Sequence, residues 1–485
     1  MAERLHVAFL CSELDPFVKT GGLADVSAAL PKALARLGHR VSIFLPRYGK
    51  IAYPAGEFVG SVHVPVDAVH RSAGYFRRAG AEAGVEIIFV EHPPFFDRDD
   101  PYGDASGGYS DNRLRFAFFV RAVLEYFRSR GERPDVFHAN DWQTGLLPVY
   151  LKAFYWDDPT LQRTPTLFTI HNIAYQGRFG ADTVATLGLP WNLGTRDALG
   201  HEDGISYLKG GIQFSETLTA VSPQYAREIQ SPDFGLGMDA AVRGRSADLV
   251  GILNGVDYDE WDPRQDRHIA ANYSHEDLTG KAACKADLLR TFSLPSEPDL
   301  PLVGITSRLV YQKGFDIVAG AWWDLLQRPL RMVALGSGER AVEDGLRALA
   351  ARDPSRFAVH FAYDTALAHK IEAGADMFLM PSRFEPCGLT QMYSLRYGTV
   401  PIVRSTGGLV DTVEPFDPRA GTGTGFRFDN ADGTGMMWAL DQALAVYDQP
   451  VRWRRLQKNG MARDFSWERS ARAYVDAYAR ARAKA

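Results

Sequence analysis

The sequence predicts an α/β protein of two doubly wound, Rossmann-like domains. Three observations carry that reading. The chain has 485 residues, room for two large domains with separate cores. Short apolar runs alternate with helical patterns along its length, as in parallel strands joined by crossover helices. The alternation then starts afresh in the second half, so one architecture is built twice.

The first half opens with "HVAFLCS" (His6–Ser12), a buried strand that passes through a glycine turn into the helical pattern "LADVSAALPKALARLG". "HRVSIFLP" is a second strand. "VEIIFVE", "PDVFHAND", "TPTLFTIHN" and "SETLTAVS" are further buried strands, each ending in a polar turn, and "NRLRFAFFVRAVLEYFRSRG" is a helix among them. Continuous apolar runs of this kind suit a parallel sheet covered on both faces. The second half supplies "PLVGITS", "RMVALGSG", "FAVHFAY", "MFLMPS" and "TVPIVRST" as strands, with "GFDIVAGAWWDLLQ" and "ERAVEDGLRALAARD" as helices. The junction is expected near "LVGILNGVDYDEWDP", which gives a first domain over 1–250 and a second over 251–465. The amphipathic stretch 466–485 is expected to form a last helix that completes the first domain. Doubly wound sheets bind ligands at the C-terminal ends of their strands, so two such domains are expected to face a central cleft.

Composition narrows the function. With 46 % hydrophobic and 23 % charged residues the chain is ordinary for a soluble globular protein. A net charge of −5 gives no electrostatic footprint for nucleic acid. Three scattered cysteines, Cys11, Cys284 and Cys387, argue for a reducing, cytoplasmic setting rather than a disulfide framework. Glu13 and Asp15 interrupt the first apolar run, which reads as a strand and not a signal peptide. No uncharged apolar run is long enough to span a bilayer, so no membrane partner is expected.

The chemistry-bearing residues stand at strand ends. TGGL occurs twice, at Thr20–Leu23 in "KTGGLADV" and at Thr406–Leu409 in "STGGLVDTV". At a strand-to-helix turn, glycines let the backbone approach a ligand, and the helix N-terminus favours an anion. The plain alternative is a pair of tight turns. "SRLVYQKGFD" places Arg308 and Lys313 after a strand, a planar fork and a mobile point charge that suit a diphosphate; solvated surface cations are the alternative. "PSRFEPCGLTQ" sets Glu385 at a strand end, where a carboxylate can hold sugar hydroxyls or steady positive charge; otherwise it is an acid favouring the helix dipole. Cys387 has no base beside it in sequence and reads as packing. "FHANDWQTG" and "FTIHNIAYQG" expose His138, Asn140 and Asp141, then His171 and Asn172, as an active-site rim would. "GSGERA" (Gly336–Ala341) satisfies the dinucleotide fingerprint, with Asp364 at a later strand end, so an NAD-dependent oxidoreductase is a rival. "DYD" (Asp257–Asp259) reads as structural, and neither HExxH nor paired CxxC occurs, so no strong zinc signal is present.

Taken together and in order, "KTGGLADV", "HANDWQTGLLPVYL", "TIHNIAYQG", "NGVDYDEWDP", "SRLVYQKGFD", "SRFEPCGLTQ" and "STGGLVDTV" resemble bacterial glycogen synthases and plant starch synthases, retaining glycosyltransferases of the GT-B architecture. The resemblance covers nearly the whole chain. It implies transfer of glucose from ADP-glucose to the non-reducing end of an α-1,4-glucan, with retention and release of ADP, and with no metal, pyridoxal phosphate or other cofactor. It implies that Lys19 and the Gly21–Gly22 turn approach the donor, that Arg308 and Lys313 neutralise its diphosphate, that Glu385 holds the glucose, and that His171 lines the sugar pocket. It places Asp25, Asp141, Asn172 and Asn254 near sugar or acceptor, Tyr363 by the adenine, and Cys387, Gly388, Leu389, Thr406, Gly407 and Gly408 by the distal phosphate or sugar. Related two-domain families carry a second Glu where this chain has Tyr393, so same-face attack is expected rather than a covalent intermediate. One departure stands out: bacterial members commonly read "HDWHAG" where this chain has "NDWQTG", so Gln143 replaces a titratable His. A non-catalytic glucan-binding protein is disfavoured by the presence of Lys19, Arg308, Lys313 and Glu385. A nucleotide-sugar epimerase shares the architecture but gives no reason for "EPCGLTQ".

Overall fold

The strands read from the sequence form two separate sheets. The computed structural model describes residues 3–67, 69–104, 107–296 and 300–485. Its two units are Met1–Gly255 with Trp467–Ala485, and Val256–Ser466. The chain therefore leaves the first unit, builds the second, and returns for its last helix.

In the first unit the strands are β1 (His6–Leu10), β2 (Arg40–Pro46), β3 (Glu57–Val64), β4 (Arg71–Ala79), β5 (Val85–Glu91), β6 (Val136–Asn140), β7 (Thr166–Ile170), β8 (Thr217–Ala220) and β9 (Leu249–Gly251). They lie in the order β9-β8-β7-β6-β1-β2-β5-β4-β3. The seven from β9 to β5 run parallel, while β4 and β3 add an antiparallel edge. That edge departs from the expected all-parallel sheet. β3 is half exposed, so it lacks the continuous apolar run that marks the buried strands. Helix α1 (Gly22–Arg36) follows β1, and α2 (Asn112–Arg130) is buried along most of its length before Gly131 ends it at φ 62°. The C-terminal helix Trp467–Arg482 buries Tyr474 and Tyr478 completely. Two such rings contribute about 4 kcal/mol of apolar burial.

In the second unit β10 (Leu302–Thr306), β11 (Arg331–Leu335), β12 (Phe357–His360), β13 (Met377–Met380), β14 (Val400–Arg404) and β15 (Phe426–Phe428) form an all-parallel sheet in the order β12-β11-β10-β13-β14-β15. Val303, Ile305, Leu379 and Ile402 are wholly buried in its core.

Each sheet reverses its winding once. In the first the chain moves from β1 toward β2 and later returns to the other side of β1 with β6. In the second it moves from β10 to β11 and β12, then returns beside β10 with β13. Loops diverge at such a switch point and leave a crevice at the C-terminal strand ends. Among the described residues no helix is long and apolar enough to cross a membrane.

Candidate active site

At the switch point of the first unit, Glu13 folds the glycine turn. Its buried carboxylate accepts the Thr20 N–H at 2.7 Å, the Thr20 hydroxyl at 2.6 Å and the Gly21 N–H at 3.0 Å. The Tyr102 hydroxyl donates to the same carboxylate at 2.7 Å. Two turn N–H groups that the sequence reading offered to an anion are thus already held by an acid. What remains open is space: a Cβ at Gly21 or Gly22 would meet nothing within 4 Å. Lys19 stands at the rim of this space, its Nζ 2.5 Å from Asp25 Oδ1, with both side chains about a third exposed.

The next two strand ends interlock. Asn140 donates its amide to the Leu10 carbonyl (2.9 Å) and accepts from His171 Nε2 (2.9 Å). Asp141 Oδ1 accepts the backbone N–H of His171 at 2.7 Å and of Asn172 at 3.4 Å. To do so Asp141 adopts φ 55° and ψ −175°, a region that costs a non-glycine residue about 1–3 kcal/mol. Burial pushes the Asp141 carboxyl up to about 7, against the pull of those two N–H groups. Burial also drives His171 down to about 3, so its ring is neutral. With Nε2–H engaged by Asn140, Nδ1 is left as an acceptor. Asn172 makes a local turn, accepting the Ala174 N–H at 3.1 Å. Asn254 Oδ1 and Gln143 Oε1 are buried and have no partner among the described residues.

His138 corrects the expected rim. It is fully buried, bonded to Tyr478 at 2.9 Å and to Thr169 at 2.7 Å, and it joins the C-terminal helix to the sheet. It precedes the end of β6 by two residues, too deep to meet a ligand.

In the second unit Lys313 Nζ lies 2.5 Å from Glu385 Oε2, with 17 % and 6 % of the side chains exposed. The Ser382 hydroxyl donates to the same oxygen at 3.1 Å. Two loops are locked together to hold this pair. Gly314 takes φ 71°, and a Cβ there would meet the Pro381 carbonyl at 2.1 Å. The Arg383 N–H donates to the Gln312 carbonyl (2.9 Å), and the Gln312 amide donates to the Phe384 carbonyl (3.2 Å). Arg308 is exposed, and no carboxylate pairs with it among the described residues. Tyr363 is 77 % exposed, a free aromatic face.

Helix α3 (Thr390–Arg396) follows Glu385, and Cys387, Gly388 and Leu389 form the link. Gln391 secures it, donating to the carbonyls of Cys387 (3.1 Å) and Gly388 (2.9 Å) and to Thr412 Oγ1 (3.1 Å). The second TGGL leads into α4 (Gly407–Thr412) and packs on this link. A Cβ on Gly407 would meet the Glu385 carbonyl at 1.9 Å, and one on Gly408 the Cys387 carbonyl at 2.1 Å. Gly407 has φ 45° and Thr406 is fully buried. These glycines let two protein segments touch, a use that the sequence reading did not foresee.

The dinucleotide fingerprint is spent in the same way. Cβ atoms on Gly336 and Gly338 would meet the carbonyls of Ser307 at 1.9 Å and Leu309 at 2.3 Å. Glu343 accepts the Gly338 N–H at 2.9 Å, so an acid stands where a dinucleotide would set its phosphates. Asp364 caps a helix by accepting the Leu367 N–H at 2.9 Å. Asp257 accepts the Asp259 N–H at 3.0 Å, a local turn. Among the described residues no three His, Cys, Asp or Glu side chains are grouped to hold a metal ion.

Sequence reasoning missed Glu13, Tyr102, Ser382 and Gln391. Glu13 was visible as an acid just after a strand, but no spacing rule ties it to Thr20.

Comparison with known proteins draws these features together. Residues 6–244 match the family model "Starch synthase catalytic domain", and residues 290–459 match "Glycosyl transferases group 1". The chain is 49 % identical over 480 residues to the glycogen synthase of Koribacter versatilis (strain Ellin345), covering 99 % of this chain and 98 % of that one. The chain belongs to the glycogen and starch synthase family. The glycogen synthase of Anaeromyxobacter sp. (strain Fw109-5) is 48 % identical over 98 % of this chain and 99 % of its own. Among solved structures, the catalytic domain of starch synthase IV from Arabidopsis thaliana, bound to ADP and acarbose, superposes with a TM-score of 0.90 at 35 % identity, over 99 % of this chain and all of that one. The family's GT-B fold, two doubly wound α/β units, is the fold described above, and its members are glucosyltransferases.

Proposed function

We propose that this chain is a cytoplasmic, metal-independent enzyme that moves glucose from ADP-glucose to the terminal 4-hydroxyl of an α-1,4-glucan, with retention. One observation carries the reading: the mostly buried Lys313–Glu385 pair at a switch point, with exposed Arg308 on the neighbouring strand end. The bond from glucose C1 to the diphosphate oxygen breaks, and its electron pair leaves with ADP. Negative charge grows on that oxygen, so the fixed cations Arg308 and Lys313 help most in the transition state. Glu385, steadied by Lys313 and Ser382, faces the sugar as C1 gains positive charge. The acceptor oxygen attacks C1 on the face that ADP leaves, and its proton passes to a phosphate oxygen.

In the first unit, Lys19 is a cation offered to the donor. The open space over Gly21 and Gly22 accommodates donor atoms close to the backbone. Neutral His171 offers Nδ1 and its carbonyl to glucose hydroxyls, with Asp141, Asn172 and Asn254 around it. Tyr363 stacks on the adenine. Cys387, Gly388 and Leu389 line the donor beside Glu385.

The test is incorporation of labelled glucose into glycogen, comparing ADP-glucose with UDP-glucose. Transfer from ADP-glucose with release of ADP is expected. Glu385→Ala and Lys313→Ala are each expected to lower turnover by about 10²–10³-fold. Near-normal rates in both variants would remove the site assignment. A glucosyl-enzyme trapped in mass spectrometry would replace same-face attack with a covalent route.

A further inference from the structure

We propose that the unit Val256–Ser466 carries an accessory binding site for a neutral α-glucan chain, separate from Glu385 and Lys313; the inference rests on the glucan reading above. The site lies where β15 ends and helix α5 (Gly433–Tyr447) begins. A cavity of roughly 390 Å³ there is lined by Arg427, Phe428, Asp429, Asn430, Thr434 and Trp438.

Trp438 is the unusual member. It is 58 % exposed on a helix that buries Met436, Met437 and Leu440, so the core does not require an indole there. Arg427 adds an unmet donor: its NH1 bonds the Val410 carbonyl at 3.2 Å, while its buried Nε has no partner among the described residues. Asp429 and Asn430 are exposed, and the loop that carries them is anchored where Arg404 Nε donates to the Asp429 carbonyl at 3.1 Å.

A pyranose ring has an apolar C–H face and a girdle of hydroxyls that both donate and accept. One aromatic wall with an amide, a carboxylate, a hydroxyl and a guanidinium around it matches that chemistry. A phosphate or nucleotide fits less well. Arg427 is the one guanidinium lining the cavity and Asp429 lines it beside it, while Arg404 is spent on the loop backbone; Asp432 already takes the Gly435 N–H at 2.8 Å, occupying the helix start. β15 is the edge strand, two positions from β13, so the cavity lies about 10 Å from the Glu385 strand across the sheet. A branched polymer held there by one chain presents its other ends at high effective concentration.

The full-length enzyme tests this by retardation in native gels containing glycogen and by initial rates on glycogen and on maltotriose with ADP-glucose. Trp438→Ala is expected to lose most retardation and to raise the KM for glycogen about three- to tenfold, with maltotriose kinetics unchanged. Trp438→Phe, which keeps an aromatic face, is expected to restore part of both. Undiminished retardation of Trp438→Ala overturns the site. So does a parallel rise in the maltotriose KM, which would make Trp438 part of the catalytic acceptor path. If the wild type transfers no glucose yet loses its retardation on Trp438→Ala, the glucan site stands and the transferase reading fails.

Discussion

The two TGGL turns share four residues and a strand-to-helix position but are used in opposite ways. In the first, Thr20 and Gly22 are exposed and no atom lies within 4 Å of a Cβ at either glycine. In the second, Thr406 through Leu409 are all buried, and both glycines sit on the carbonyls of Glu385 and Cys387. A lysine–carboxylate pair accompanies each region: Lys19–Asp25 is about a third exposed, and Lys313–Glu385 is mostly buried. Glycine is therefore kept in one turn for the space it leaves and in the other for the contact it permits.

The sharpest way to break this contrast is Gly408→Ala. Its methyl would collide with backbone at 2.1 Å, so a loss of about 3 kcal/mol in urea unfolding is expected, with activity falling alongside. A near-wild-type unfolding curve would show that the 385–388 link can move aside. Next comes Lys313→Ala, which leaves Glu385 buried without its cation. It should cost about 2 kcal/mol of stability as well as turnover, whereas Lys19→Ala should cost at most about 1 kcal/mol while still lowering turnover. Equal stability losses from the two would erase the difference between the pairs.

The pH dependence separates the first region further. Asp141, raised to about 7, holds a proton in the folded state that the unfolded chain releases, so it makes stability fall as pH rises from about 4 to 7. His171, lowered to about 3, refuses a proton that the unfolded chain takes up below about 6.5, so it makes stability rise with pH over about 3 to 6.5. The two slopes oppose each other in the wild type. Asp141→Asn keeps an acceptor for the His171 N–H but removes one slope. Its stability should climb with pH by about 1.4 kcal/mol per unit more than the wild type's between pH 4 and 6.5. Parallel curves would refute the buried, neutral pair. The smallest expected effect is Gly22→Ala, within about 0.5–1 kcal/mol of wild type and favourable if anything, because the helix gains and nothing is struck. A higher KM for the donor in that folded variant would show that ligand uses the space.

Much of this was legible before any coordinates. The apolar strands, the restart half-way and the order of the motifs each rest on neighbours in sequence, where local propensity and periodicity act. The antiparallel edge of β3 and β4 was not legible, because a half-exposed strand has no unbroken apolar run. Glu13 was not either, since its role depends on the chain returning from Thr20 to the end of β1. "HAND" and "HN" look alike as strand ends, yet His138 is locked to Tyr478 from the far end of the chain while His171 stays at the rim beside Asn140. The amino-acid order alone determined the two sheets and the set of chemically able residues. Only the tertiary structure decided which glycine faces open space and which faces another backbone, because that depends on whether a separate strand-end loop, here residues 385–387, folds against the turn.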